Sequence, residues 1–156
     1  MAPRMELVAG EAREVLVVVS LDESRDAFRD RGRFDAYLAL GGGVDPTWLD
    51  LFAEAARVAT ARDIPSDFID ARIELGPADE AALSVERVDP AWVMAVAAIP
   101  DASLDGVAGR WIDRLEEELG ELPREEKPWI RDLAGRVVAF CRTADRAPDV
   151  VFVWEL

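Results

Sequence analysis

The stretch EVLVVVSL, Glu14 to Leu21, decides how the rest of the chain is read. It is short, rich in β-branched residues and apolar on both faces, the pattern of a strand covered on both sides. As the central strand of a sheet, it needs neighbours to supply the edges and the covering layers. RFDAYLAL, Arg33 to Leu40, puts Phe34, Ala36, Leu38 and Leu40 on one face at period two and reads as a second, mostly buried strand. Between the two, Asp22 can cap a short helix that runs to Arg31 and stops at Gly32. On the other side, residues 1–11 read as a loosely ordered N-terminal segment.

Further on, helical and extended patterns alternate. Trp48, Phe52, Ala55, Ala56 and Ala59 recur at helical spacing and predict a helix from Pro46 to Arg62. FIDARIEL, Phe68 to Leu75, alternates apolar and charged residues as a half-exposed strand near an edge does. GPADEA reads as a loop and ALSVERV, Ala82 to Val88, as another short strand. Three helices follow, over Pro90 to Ile99, from the capping Ser103 to Gly120, and over Pro128 to Ala144. DVVFVWEL, Asp149 to Leu156, closes the chain as a strand, and because a lone strand does not hold itself it must return to the N-terminal sheet. The expectation is an α/β or α+β fold: one globular domain with a single mixed sheet of about four or five strands, packed by about five helices. Strand order stays open.

Composition narrows the functional classes. Half of the 156 residues are hydrophobic (51%) and charged residues (32%) are spread through the chain, which describes a globular protein rather than a disordered one. Histidine is absent and Cys141 is the single cysteine, so Ser/His/Asp and Cys/His catalysis, His-based metal sites and an intramolecular disulfide are excluded. Cys141 falls on the apolar side of a predicted helix, where a thiol acts as a small hydrophobe. No cofactor or metal site is expected. A formal net charge of −14 repels polyanions, so nucleic acid and anionic membrane are unsuitable partners, whereas a basic protein surface would be attracted. Neither VLVVVSL nor AWVMAVAAI is long enough to span a bilayer, and Glu6 and Glu11 interrupt what a secretory signal would need, so a cytoplasmic protein is predicted.

Four patterns are candidates for function. In ALGGGVDPTW, Ala39 to Trp48, a triple glycine between strand and helix has the layout of a phosphate cradle, with Gly41, Gly42, Gly43 and Asp45 as the ligand-binding candidates. It lacks both GxGxxG and GK[ST], and a capping Asp45 would compete for the N–H groups a phosphate needs, so a tight turn is favoured. VDPTW, Val44 to Trp48, recurs as VDPAW, Val88 to Trp92, and is read as helix-start grammar rather than duplication: aspartate caps, proline presets φ, tryptophan turns inward. Asp22, Asp26 and Asp30 would line one helical face, but Arg25, Arg29 and Arg33 neutralise it. Phe152 and Trp154 share a face of the last strand and form a partner-binding patch if the sheet is uncovered there. The acidic run from Asp113 to Lys127 reads as solvent face and loop.

The function expected on these grounds is a small, acidic, non-catalytic protein-binding module that docks a basic partner, as inhibitors, immunity proteins and antitoxin-like proteins do. The alternative is a protein or enzyme that binds a phosphorylated small molecule at residues 41–43. A homo-oligomer with a purely structural role is a third reading.

Overall fold

A computed structural model describes residues 4–21, 25–41, 44–64, 69–72 and 83–155. The elements are β1 (Arg4–Gly10), α1 (Ala12–Ser20), β2 (Ala36–Ala39), α2 (Pro46–Thr60), β3 (Ile69–Arg72), β4 (Leu83–Val88), α3 (Pro90–Ala97), α4 (Leu104–Leu119), α5 (Lys127–Ala144) and β5 (Asp149–Glu155). A 3-10 turn, Arg25–Arg29, stands where the short helix was expected, and Asp22 lies outside the described residues. The five strands form one sheet in the order β2-β1-β5-β4-β3. Where a mixed sheet was expected, all four described ladders are antiparallel, so the α+β form of the expected class is the one adopted.

The C-terminal strand does return to the N-terminal sheet, and it takes the middle position. β5 pairs with β1 from Gly10↔Asp149 to Arg4↔Glu155, and with β4 from Arg87↔Val151 to Leu83↔Glu155. β1 therefore corrects two expectations. Residues 4–10 are an interior strand rather than a loose segment, because Met5, Leu7 and Ala9 alternate toward one core while Val8 faces the other.

The second correction concerns Glu14 to Leu21, which is helix α1 rather than the central strand. A short continuous apolar run has the same letters in a buried strand and in a buried helix, and periodicity alone does not separate them. Here Val15 and Val18, one helical step apart, are fully buried, with Leu16 and Val19 packed beside them, while Arg13 and Ser20 face solvent. Glu11 occupies the N-cap position without a side-chain bond. The first N–H of the helix, that of Ala12, donates instead to Asp149 Oδ2 at 3.1 Å, so the start of β5 caps α1 from 137 positions away in sequence.

Helices cover both faces of the sheet. α2, α3, α4 and α5 pack on the face formed by Met5, Leu7, Ala36, Leu38, Val150 and Phe152. α1 and the Arg25–Arg29 turn cover the face formed by Val8, Val85, Val151 and Val153. Phe34 was expected beside Ala36, but it precedes the strand and joins this second face, edge-on to Phe28 at 5.4 Å. Gly10 makes room for it, since a Cβ there would lie 3.1 Å from the Phe34 ring.

The larger layer is threaded by aromatic rings: Trp129 meets Trp48 (6.2 Å), Trp48 meets Trp111 (6.2 Å), Trp111 meets Phe52 (5.0 Å) and Phe52 meets Trp92 (6.4 Å). This chain of contacts joins all four helices. Both VDPxW segments do the same local work, Asp45 Oδ1 accepting from Thr47 N–H (2.9 Å) and Asp89 Oδ1 from Ala91 N–H (2.8 Å), with Trp48 and Trp92 turned into the core. Ser103 does precede α4, yet its hydroxyl makes no capping bond. The end of α3 is closed by Arg142, whose guanidinium donates to the carbonyls of Ala97 and Ile99 and to Asp101.

Val17 lies on α1 outside the packed cluster, so it reports the conformation of this stretch. Val17→Ala should leave stability unchanged or raise it by up to about 0.5 kcal/mol, as helix propensity dictates. A loss of about 1 kcal/mol in urea denaturation is the outcome a strand would give.

Candidate functional site

The triple-glycine turn has a structural explanation. Gly41 has φ +85°, in the region that favours glycine, and a Cβ on it would lie 3.1 Å from Cζ2 of Trp129. The tryptophan ring that opens α5 thus lies over the turn that precedes α2. Asp45 spends its carboxylate on the cap of α2. Gly42 and Gly43 lie outside the described residues. The two described members of the proposed phosphate site are therefore engaged by a ring and by a helix end.

Phe152 and Trp154 do not form an exposed patch. β5 lies in the middle of the sheet, and both side chains point into the four-helix side, Phe152 fully buried and Trp154 half-buried against the same core. Cys141 is buried on α5, and burial alone pushes its thiol pKa up, so it packs as a hydrophobe and presents no nucleophile. Of the expected row of carboxylates, Asp22 lies outside the described residues, Asp26 is exposed on the 3-10 turn, and Asp30 lies beyond that turn with its Oδ1 accepting from Gly32 N–H at 2.8 Å, so Asp26 and Asp30 do not share one α-helical face. Among the described residues no group of three or more acidic or sulfur side chains converges as cation ligands would.

Two surfaces stand out instead, with opposite charge. The first is an acidic ridge at the C-terminal end of α4 and the turn beyond it. Asp113, Glu117, Glu118, Glu121, Glu125 and Glu126 are exposed there. Arg114 is shared among Glu54 (2.9 Å), Glu117 and Glu118 (3.5 Å), and the hydrogen bonds to Glu54 first and then Glu117 raise its pKa above the ordinary arginine value. Glu116 is used within the fold, accepting from Leu122 N–H (3.2 Å) and lying 3.6 Å from Lys127. From Asp113 to Lys127, seven carboxylates face three bases, leaving a local excess of negative charge. One large apolar side chain, Leu119 at the last position of α4, is 51% exposed among these carboxylates.

The second surface is a cleft of about 410 Å³ along β2, bordered by Arg29 and Arg31 from the 3-10 turn and its exit, and by Arg136, Ala139 and Thr143 from α5. Its floor is β2 itself, with Tyr37 on the side facing α1. The Arg29 guanidinium lies 5.2 Å from the centre of the Tyr37 ring. The Tyr37 hydroxyl donates to Oε2 of Glu6 at 2.6 Å, and Glu6 is almost fully buried on β1. Desolvation raises the Tyr37 pKa most, the hydrogen bond to the Glu6 carboxylate adds to it, and Arg29 opposes it only in part.

Tyr37, Arg31 and Arg136 are not singled out by the sequence, and Arg29 stands out there only as a charge that neutralises neighbouring aspartates. The available signal is the alternation of Met5 to Gly10, which places Glu6 on the same face as Val8 and so makes a buried carboxylate that needs a donor. Comparison with family models, with curated proteins and with solved structures finds no match to this chain. No single helix among the described residues is long and apolar enough to cross a membrane.

Gly41→Ala should destabilise the protein by about 1–3 kcal/mol through backbone strain and displacement of Trp129, read as a lower urea midpoint. Tyr37 is the sole tyrosine, so its ionisation is read directly from tyrosinate absorbance. In the native protein it should titrate well above the ordinary value of 10.0 seen on unfolding, and Glu6→Gln should lower it. Because the folded-state value is the higher one, the stability this proton confers is present below pH about 10 and falls as pH rises above it. Native titration at the ordinary value would remove the Glu6–Tyr37 contact.

Proposed function

We propose that this chain is a non-catalytic protein-binding module that acts in the cytoplasm and docks a basic protein partner on the acidic ridge. The observation that carries the reading is the arrangement at the end of α4: exposed carboxylates on a helix anchored by Trp111 and on the turn beyond it, with the exposed Leu119 offering apolar contact among them. Such a surface combines steering by charge with a desolvated anchor. Exposed charges cost little to keep in water and gain most where a partner of opposite sign approaches within a Debye length, about 8 Å at physiological salt. The absence of histidine and the burial of Cys141 fit a role without nucleophilic catalysis.

The test compares two triple variants of equal charge. Glu117→Gln, Glu118→Gln and Glu121→Gln neutralise the ridge, while Glu11→Gln, Asp63→Asn and Asp145→Asn neutralise exposed acids elsewhere. In pull-downs at low salt, the wild type and the second variant should retain a basic partner that raised salt releases, and the ridge variant should lose it at least tenfold. Equal retention by both variants, or no salt-sensitive partner at all, overturns the reading.

A further inference from the structure

Among the described residues β2 is the terminal strand of the sheet, paired on one side only, with β1. The register settles which of its backbone groups point away. Leu40 N–H donates to Met5 O at 2.8 Å, so two residues back Leu38 exchanges hydrogen bonds with its partner Leu7. Tyr37 and Ala39 then turn their N–H and C=O groups outward, into the cleft between the 3-10 turn and α5. An open edge of this kind is a template for another strand, and natural sheets that leave one open either guard it with charge or use it.

The charges around this edge say what it fits. In a chain of net charge −14, the cleft is bordered by Arg29, Arg31 and Arg136. Neither Arg29 nor Arg31 is held in an ion pair among the described residues, and Arg136 pairs only with Asp132 one helical turn away, both side chains more than half exposed. The acids near the edge are Asp26 on the 3-10 turn, Asp30, engaged by Gly32 N–H, the exposed Asp35 at the entrance to β2, and the buried Glu6, which accepts from the Tyr37 hydroxyl. Arg29 stands on the α1 side of the sheet, over Tyr37, and Arg136 on the α5 side, so an added strand would present alternate side chains to the two. Carboxylates at consecutive positions would therefore both find a guanidinium. A second copy of this chain is a poor occupant, since edge-to-edge pairing would bring two sets of three arginines together.

We propose that the open edge of β2 accepts an extended, acidic segment of a partner polypeptide as a sixth strand, with its backbone bound by Tyr37 and Ala39 and its carboxylates by Arg29 and Arg136. This surface is distinct from the acidic ridge and does not depend on it. β2 is about 13 Å long, so the docked segment is short and the arginines contribute selectivity that the few backbone bonds cannot.

The probe is a capped octapeptide of valine, threonine and paired glutamates, with a glutamine counterpart as control, added to the isotopically labelled full chain. The glutamate peptide should slow amide hydrogen exchange at Tyr37 and Ala39 at least tenfold, and the glutamine peptide should bind at least tenfold more weakly. Arg29→Gln with Arg136→Gln should lose binding at an unchanged melting temperature. Ala39→Pro, which removes an outward N–H and keeps every charge, should lose it as well, while the ridge-neutralised triple variant should bind normally. Three results overturn the proposal: no binding of the glutamate peptide; inorganic phosphate matching its effect while the Tyr37 and Ala39 amides stay unprotected; or a peptide-independent dimer that protects the same amides.

Discussion

The insertion of β5 between β1 and β4 is the constraint on which the rest of the molecule depends. Without it the sheet separates into two hairpin-like pairs, β2 with β1 and β4 with β3, neither of which is stable alone. The same strand begins with Asp149, whose carboxylate receives the first N–H of α1, so the helix that covers the smaller face is tied to the strand that completes the sheet. Val150 and Phe152 enter one core while Val151 and Val153 enter the other. Both cores therefore close only when β5 meets β1. This pairing, from Gly10 with Asp149 to Arg4 with Glu155, is strongly non-local, and its closure entropy must be offset before the core is rewarded.

The four-helix layer is organised differently, by contacts between large rings. Trp48 lies between Trp111 and Trp129, and the Trp111 indole N–H donates to the Trp48 carbonyl at 2.9 Å, so a buried polar group is matched where the aromatic surfaces meet. The glycine turn belongs to this system, since Gly41 yields the space that the Trp129 ring occupies. A motif with the outline of an anion cradle is thus absorbed by packing. Charge is sorted in parallel: carboxylates gather at the far end of α4, and three arginines border the open edge of β2. The net charge of the whole chain describes the first surface and conceals the second.

Much of the fold was legible in the residues. Asp-Pro at Asp45 and Asp89 marks two helix starts through groups within three positions of one another, and the apolar stripes of α2, α4 and α5 have a single period. The alternation that marks β3 and the β-branched run of β5 were legible for the same reason. The candidate site was far less so. Gly41 and Asp45 drew attention because their letters resemble a binding turn, and Phe152 and Trp154 because aromatic residues share a face. What each of them touches is set by elements more than 80 residues away in the case of Gly41, and by the strand order in the case of Phe152.

By itself the sequence determined the class of fold, the Asp-Pro starts of α2 and α3, the return of the last strand to the first, and the exclusion of histidine and intramolecular disulfide chemistry, because these follow from local stereochemistry, from the instability of a lone strand or from which side chains exist. Only the tertiary structure decided that Glu14 to Leu21 is a helix, that residues 4–10 are an interior strand, and that an arginine-lined edge lies open on an acidic protein. A run apolar on every side satisfies a helix and a strand equally well, and the choice falls to whichever packing buries it. In this chain β1 and β5 fill the middle of the sheet, which leaves Val15 and Val18 to cover its face.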